Sequence, residues 1–108
     1  MRDSAAALQA RTSLVVDDDD AFRNRLMRAM EKRGYDVSAV ATVKEAQQLA
    51  QDLKPEFAVV DLRMPDGSGL GVVQTLRQAR KNMRIVITWP RDVLEALGAD
   101  QRDLIVKT

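Results

Sequence analysis

An alternation constrains this chain more than any other feature. Short apolar runs that end abruptly in polar residues are separated by stretches whose apolar residues recur at helical spacing. Leu14-Val15-Val16 ends in Asp17-Asp18-Asp19-Asp20, and Phe57 to Val60 ends in Asp61 and a turn containing Met64-Pro65-Asp66-Gly67. A short apolar run bounded by turn residues reads as a buried strand. Strand and helix repeated three times, then a further strand, argue for parallel strands with helical crossovers on both faces of one sheet. Open α/β sheets keep their chemistry at the carboxyl ends of the strands. Two strands that both end in carboxylates therefore suggest one shared site.

The first helix is expected from Asp19 or Asp20 to Arg33, with Phe22, Leu26, Ala29 and Met30 on one face. Arg23, Arg25, Arg28 and Lys32 lie largely off that face and read as solvated, and Gly34 ends the helix as a C-cap. Tyr35 to Val40 is a second strand. Thr42 starts the second helix with Glu45 three residues on, the capping-box spacing in which each side chain satisfies the other's free backbone N–H. Val43, Ala46, Leu49, Ala50 and Leu53 form its apolar stripe, and Pro55 stops it. After the third strand, Phe57 to Val60, a third helix carries Leu70, Val72, Val73, Leu76 and Ala79 and ends near Arg80. Asp66 and Ser68 read as turn and helix-start residues. Arg84 to Thr88 is the fourth strand, Pro90 to Leu97 a short helix ended by Gly98, and Leu104 to Val106 a fifth strand closing on Lys107. Residues 1–12 form an Ala-rich leader, mobile or a short helix over Ala5 to Ala10 with Ser4 as cap.

A chain of 108 residues holds one domain with a single core, and with aromatics at 4% aliphatic residues must build it. There is no cysteine, which excludes disulfides and thiolate chemistry, and no histidine, which excludes a Ser-His-Asp triad and imidazole metal ligands within the chain. Only oxygen ligands remain, and hard cations such as Mg²⁺ match them. A net charge of +1 exerts no general pull toward nucleic acid or membrane. No apolar run reaches the length of about 18 residues that a membrane span needs, and the polar opening MRDSAAALQARTS is no signal peptide, so a cytoplasmic location is expected.

The stretches LVVDDDD, AVVDLRMPDGSGL, RIVIT and LIVK resemble the receiver domain of bacterial two-component response regulators. VVDDDDAFRNRLMRAMEKRGYDV is similar in particular to redox regulators of the RegA/PrrA/ActR type. The resemblance covers about residues 13–107, and residues 13–108 are taken as the receiver domain. It implies a doubly wound, flavodoxin-like α/β fold with a parallel five-stranded sheet in the order 2-1-3-4-5. It also implies roles for individual residues. Asp61 is the phosphoacceptor, with Pro65 and Gly69 at family spacing, and Thr88 and Lys107 contact the phosphoryl group. Asp17, Asp18, Asp61 and the Arg63 carbonyl hold Mg²⁺. The donor is a phosphohistidine on a partner sensor histidine kinase, and the result is a binding switch in a phosphorelay, not a conventional enzyme.

Taken singly, Asp17 to Asp20 read as a solvated helix start and Thr88 and Lys107 as ordinary strand-end residues. Together, after successive strands and with Asp61 in its own motif, they point to a receiver-type site. Departures from the family pattern lie in the second half. Trp89 stands where a small residue is usual and is expected to slow phosphorylation, Leu104 replaces the aromatic of a Thr-aromatic switch, and Thr108 replaces the proline after the lysine. The fourth crossover is short, and no fifth helix follows, so the domain reads as truncated at its C-terminal end, with apolar strand faces that the leader, a homodimer or a domain-swapped dimer would cover, or that belong to a fragment of a longer protein. Direct contact of this domain with nucleic acid or membrane is not expected. The alternative function is a degenerate receiver-like interaction module. A haloacid-dehalogenase-type phosphatase is opposed by chain length and by the motif around Asp61.

Overall fold

The computed structural model describes residues 11–90 and the strand 104–107, with residues 89–90 and 104–107 in backbone terms. Strands β1 (Arg11–Val16), β2 (Tyr35–Val40), β3 (Phe57–Asp61), β6 (Arg84–Pro90) and β7 (Leu104–Lys107) form one sheet in the order β2-β1-β3-β6-β7. All its pairs are parallel. This is the expected 2-1-3-4-5 arrangement once a small ribbon, β4 (Arg63–Met64) with β5 (Gly67–Ser68), is set aside. That antiparallel ribbon was not expected, and it forms because Pro65-Asp66 is a two-residue link with Gly67 behind it.

The helices are α1 (Asp20–Lys32), α2 (Val43–Leu53) and α3 (Gly69–Ala79). Local chemistry sets their ends. Asp19 caps α1 by accepting from the Phe22 amide, and Gly34, at φ 90°, carries the chain out of it. Thr42 caps α2 by accepting from the Glu45 amide at 3.1 Å. The reciprocal half of the expected capping box is different: Glu45 Oε1 accepts from the Thr42 hydroxyl at 2.9 Å instead of from its backbone N–H. Ser68 caps α3, as its reading as a helix-start residue anticipates.

The first strand begins at Arg11 rather than Leu14, because Arg11 and Thr12 continue the ladder opposite Tyr35 and Asp36. Pro90 closes β6 instead of opening a helix. The rest of the expected helix through Leu97, Gly98 after it, and the leader helix at Ser4 to Ala10 lie outside the described residues. Side chains alternate across each strand. Leu14, Val16, Ala58 and Val60 enter a large core under α2 and α3, whereas Val15 and Val59 meet Met30 of α1 on the other face.

Candidate functional site

Strand register brings the polar strand ends into one row. Val16 pairs with Val60, and Asp61 pairs directly with Thr88, so Asp17, Asp61 and Thr88 follow one another on neighbouring strands. They share the parity of Val15, Val59 and Val86, on the side of the sheet that carries α1. Asp17 and Thr88 are 1% exposed and Asp61 3%. Asp18 is exposed, and one oxygen from each of Asp17, Asp18 and Asp61 lies within 4.8 Å of the others. Carboxylates gathered this closely repel one another, and an oxygen-only donor set of net negative charge fits a hard divalent cation.

Several hydrogen bonds hold this geometry. The Asp17 amide donates to the Val40 carbonyl at 3.1 Å, and Asp17 Oδ1 accepts from the Asp19 amide at 2.8 Å. Asp61 Oδ1 accepts from the Arg63 amide at 3.2 Å. The Leu62 amide donates to the Thr88 carbonyl at 3.1 Å, and the Gly69 amide to the Leu62 carbonyl at 2.9 Å. Gly69 is required by contact, since a Cβ there would lie 2.2 Å from the Asp61 carbonyl oxygen. The Thr88 hydroxyl is buried with no hydrogen-bond partner among the described residues. Such a group costs about 1–3 kcal/mol until an acceptor or donor reaches it.

Lys107 is in register with Pro90, and Ile105 with Thr88, so the Lys107 backbone stands two residues beyond the Asp61 row. The side chains of Lys107, Trp89 and Leu104, and all of Thr108, lie outside the described residues. Arg63 is exposed, and its backbone follows Asp61 by two residues at the base of the ribbon.

Sequence reading missed two residues. Arg23, read as part of a solvated helix face, has a side chain only 15% exposed. Its Nη1 donates to the Asp17 carbonyl at 2.8 Å and its Nη2 to Asp20 Oδ1 at 2.6 Å. The Asp20-Arg23 spacing of three was the available signal, since such pairs meet on a helix. Asp66, read only as a turn residue, accepts from the Val43 amide at 2.9 Å and the Lys44 amide at 3.3 Å. The Val43 bond holds its carboxyl below the usual range. No local pattern announces a partner that far along the chain.

Comparison with known proteins agrees with this geometry. Residues 13–108 match the response regulator receiver domain family. The photosynthetic apparatus regulatory protein RegA of Rhodobacter capsulatus is 49% identical over 77 residues, which cover 71% of this chain and 42% of RegA. The acid tolerance regulatory protein ActR of Rhizobium meliloti is 45% identical over 87 residues, covering 80% and 45%. The chain thus spans less than half the length of these curated relatives. A crystal structure of a response regulator from Burkholderia pseudomallei, with a phosphorylated aspartic acid, calcium ion and citrate, superposes with a TM-score of 0.74 at 30% identity, covering 90% of this chain and 59% of that one. With its strand order, its row of strand-end residues and this match, the chain belongs to the response regulator receiver domain family.

Proposed function

We propose that this chain is a phosphoacceptor switch in which Asp61 takes a phosphoryl group from a phosphohistidine of a partner sensor kinase. The observation that carries the reading is the buried Asp61 carboxylate beside the Thr88 hydroxyl, which has no hydrogen-bond partner among the described residues and is its direct neighbour across the ladder. One Asp61 oxygen attacks phosphorus, the new O–P bond forms as the P–N bond to imidazole breaks, and the imidazole nitrogen keeps the electron pair. Thr88 donates a hydrogen bond from its hydroxyl to a phosphoryl oxygen, and Lys107 pairs with another.

Asp17, Asp18, Asp61 and the Arg63 carbonyl would hold Mg²⁺, with Asp17 acting through water. When bound, that cation offsets carboxylate repulsion and neutralises charge on the transferring group. Burial of Asp17, Asp61 and Thr88 keeps water away from the side of Asp61 that faces the sheet. The family is one of signalling switches, and the response here is a change in the arrangement around β6 and β7 that alters partner binding, including self-association as a homodimer or swapped dimer. Residues 13–108 would act as the receiver and residues 1–12 as its leader. Among the described residues no helix is long and apolar enough to cross a membrane, and a cytoplasmic location goes with the reading.

Intact mass after incubation with acetyl phosphate and Mg²⁺ tests it. One added phosphoryl group, absent in Asp61→Asn, is the expected result. A folded wild type that gains no mass and binds no Mg²⁺ would replace this reading with the degenerate interaction module.

A further inference from the structure

The ribbon that follows Asp61 is held in different ways at its base and at its tip. At the base, the sheet edge fixes it through the Leu62–Thr88, Gly69–Leu62 and Arg63–Asp61 hydrogen bonds. At the tip, Asp66 reaches across 23 residues of sequence to the first amide of α2, at Val43, and to the next, at Lys44. Helix α2 does not depend on these bonds for its cap, because Thr42 already accepts from the Glu45 amide. The amides that Asp66 takes lie at an exposed helix start, where water can also satisfy them. Replacing water there adds little stability, yet the link restricts where the ribbon can sit.

The end of β2, just before this helix start, also holds Asp17. The Val40 carbonyl, three residues before Val43, accepts from the Asp17 amide. One short segment therefore grips Asp17 at one end and the tip of the Asp61 ribbon at the other. Gly67, at φ 153°, faces the Val43 side chain, and a Cβ there would meet it at 3.6 Å, so the ribbon lies against the helix start. Met64, between base and tip, is buried in the large core.

We propose that Asp66 is a positioning residue: by tying the ribbon tip to the start of α2, it fixes the Arg63 backbone relative to Asp17 and Asp61, and so sets the affinity of the cation site. The proposal rests on the phosphoacceptor reading above. Its negative charge at the positive end of α2 strengthens the tie.

The test compares wild type with Asp66→Ala and Asp66→Asn in the full chain. It reads Mg²⁺ affinity by calorimetry, phosphoryl uptake from acetyl phosphate by mass, amide hydrogen exchange across residues 62–69, and the thermal midpoint. In Asp66→Ala, Mg²⁺ affinity should fall about 10-fold, as for other lost supporting partners of metal ligands. Exchange in the ribbon should rise while the thermal midpoint hardly moves. Asp66→Asn retains one acceptor oxygen and should recover most of the affinity. Affinity, uptake and ribbon exchange in Asp66→Ala that all match wild type overturn the proposal and leave the phosphoacceptor reading intact. Faster ribbon exchange with unchanged affinity makes Asp66 a cap only and overturns it equally. A wild type that takes up neither Mg²⁺ nor phosphoryl group removes the underlying reading first, and the proposal with it.

Discussion

The two faces of the sheet are built from the same alternating strands but buried to different depths. Under α2 and α3, Leu14, Val16, Val60, Val72 and Leu76 are completely buried. On the opposite face, among the described residues, the buried cluster is Val15, Met30 and Val59, and Leu26, Tyr35, Val37, Phe57 and Val86 around it are only partly buried. Small residues explain the closer packing of the first face. Ala46 and Ala50 let α2 approach the strands, and Gly69 lets α3 begin directly on the Asp61 carbonyl. The second face relies on α1 and on large side chains, including a tilted Tyr35–Phe57 ring pair with centroids 5.9 Å apart. The site belongs by parity to the thinner face, while its ribbon and Asp66 are anchored to the thicker one. A deeply buried face and a shallower one thus meet at Asp61.

Matched truncations test this contrast most sharply. Leu76→Ala, in the deep face, should cost about 2–5 kcal/mol in urea unfolding, the usual range for a fully buried leucine. Leu26→Ala, on the partly buried α1 face, should cost roughly half as much, because less surface leaves water on folding. Equal losses would mean that the two faces are energetically alike.

Gly69→Ala examines the close approach itself. The added methyl meets backbone that cannot swing aside, so about 1–3 kcal/mol of stability should be lost. Phosphoryl uptake at Asp61 should slow by more than the stability loss explains, since a displaced nucleophile reacts poorly even in a folded chain. Unchanged uptake would show that Asp61 tolerates movement of α3.

The smallest effect is expected from acid. The folded Asp66 carboxyl titrates below its ordinary value of 3.8, so its contribution to stability is fully present above that value and is lost as pH falls through the lowered one. Protection of the Val43 and Lys44 amides, taken relative to their intrinsic exchange rates, should be flat near neutrality and fall only in that acid window. Asp66→Asn should abolish the fall, and a fall already present near neutral pH would contradict the assignment.

Local patterns carried the elements because their causes are local. The ends of the apolar runs at Val16 and Val60, the caps at Asp19, Thr42 and Ser68, and the stop at Pro55 each follow from a few adjacent residues. The gathering of the strand-end residues was legible for the same reason. Asp17, Asp61 and Thr88 each follow an apolar run, with Asp18 beside Asp17, and parallel strands in this order bring such ends together. Arg23 and Asp66 were not legible in their full roles. A charged residue on a helix and an acidic residue in a turn look alike in sequence whether they face water or a backbone group elsewhere.

By itself, then, the sequence determined the order of the sheet strands and the helices between them, their polarity pattern and the residue types able to do chemistry, because periodicity and turn chemistry act over a few residues. Tertiary structure alone decided which face is deep and which is thin, that Arg23 closes on the Asp17 carbonyl, and that Asp66 finds amides 22 and 23 residues away. Those outcomes depend on how helices seat on a twisted sheet, and packing distances between remote segments are written in no single stretch of chain.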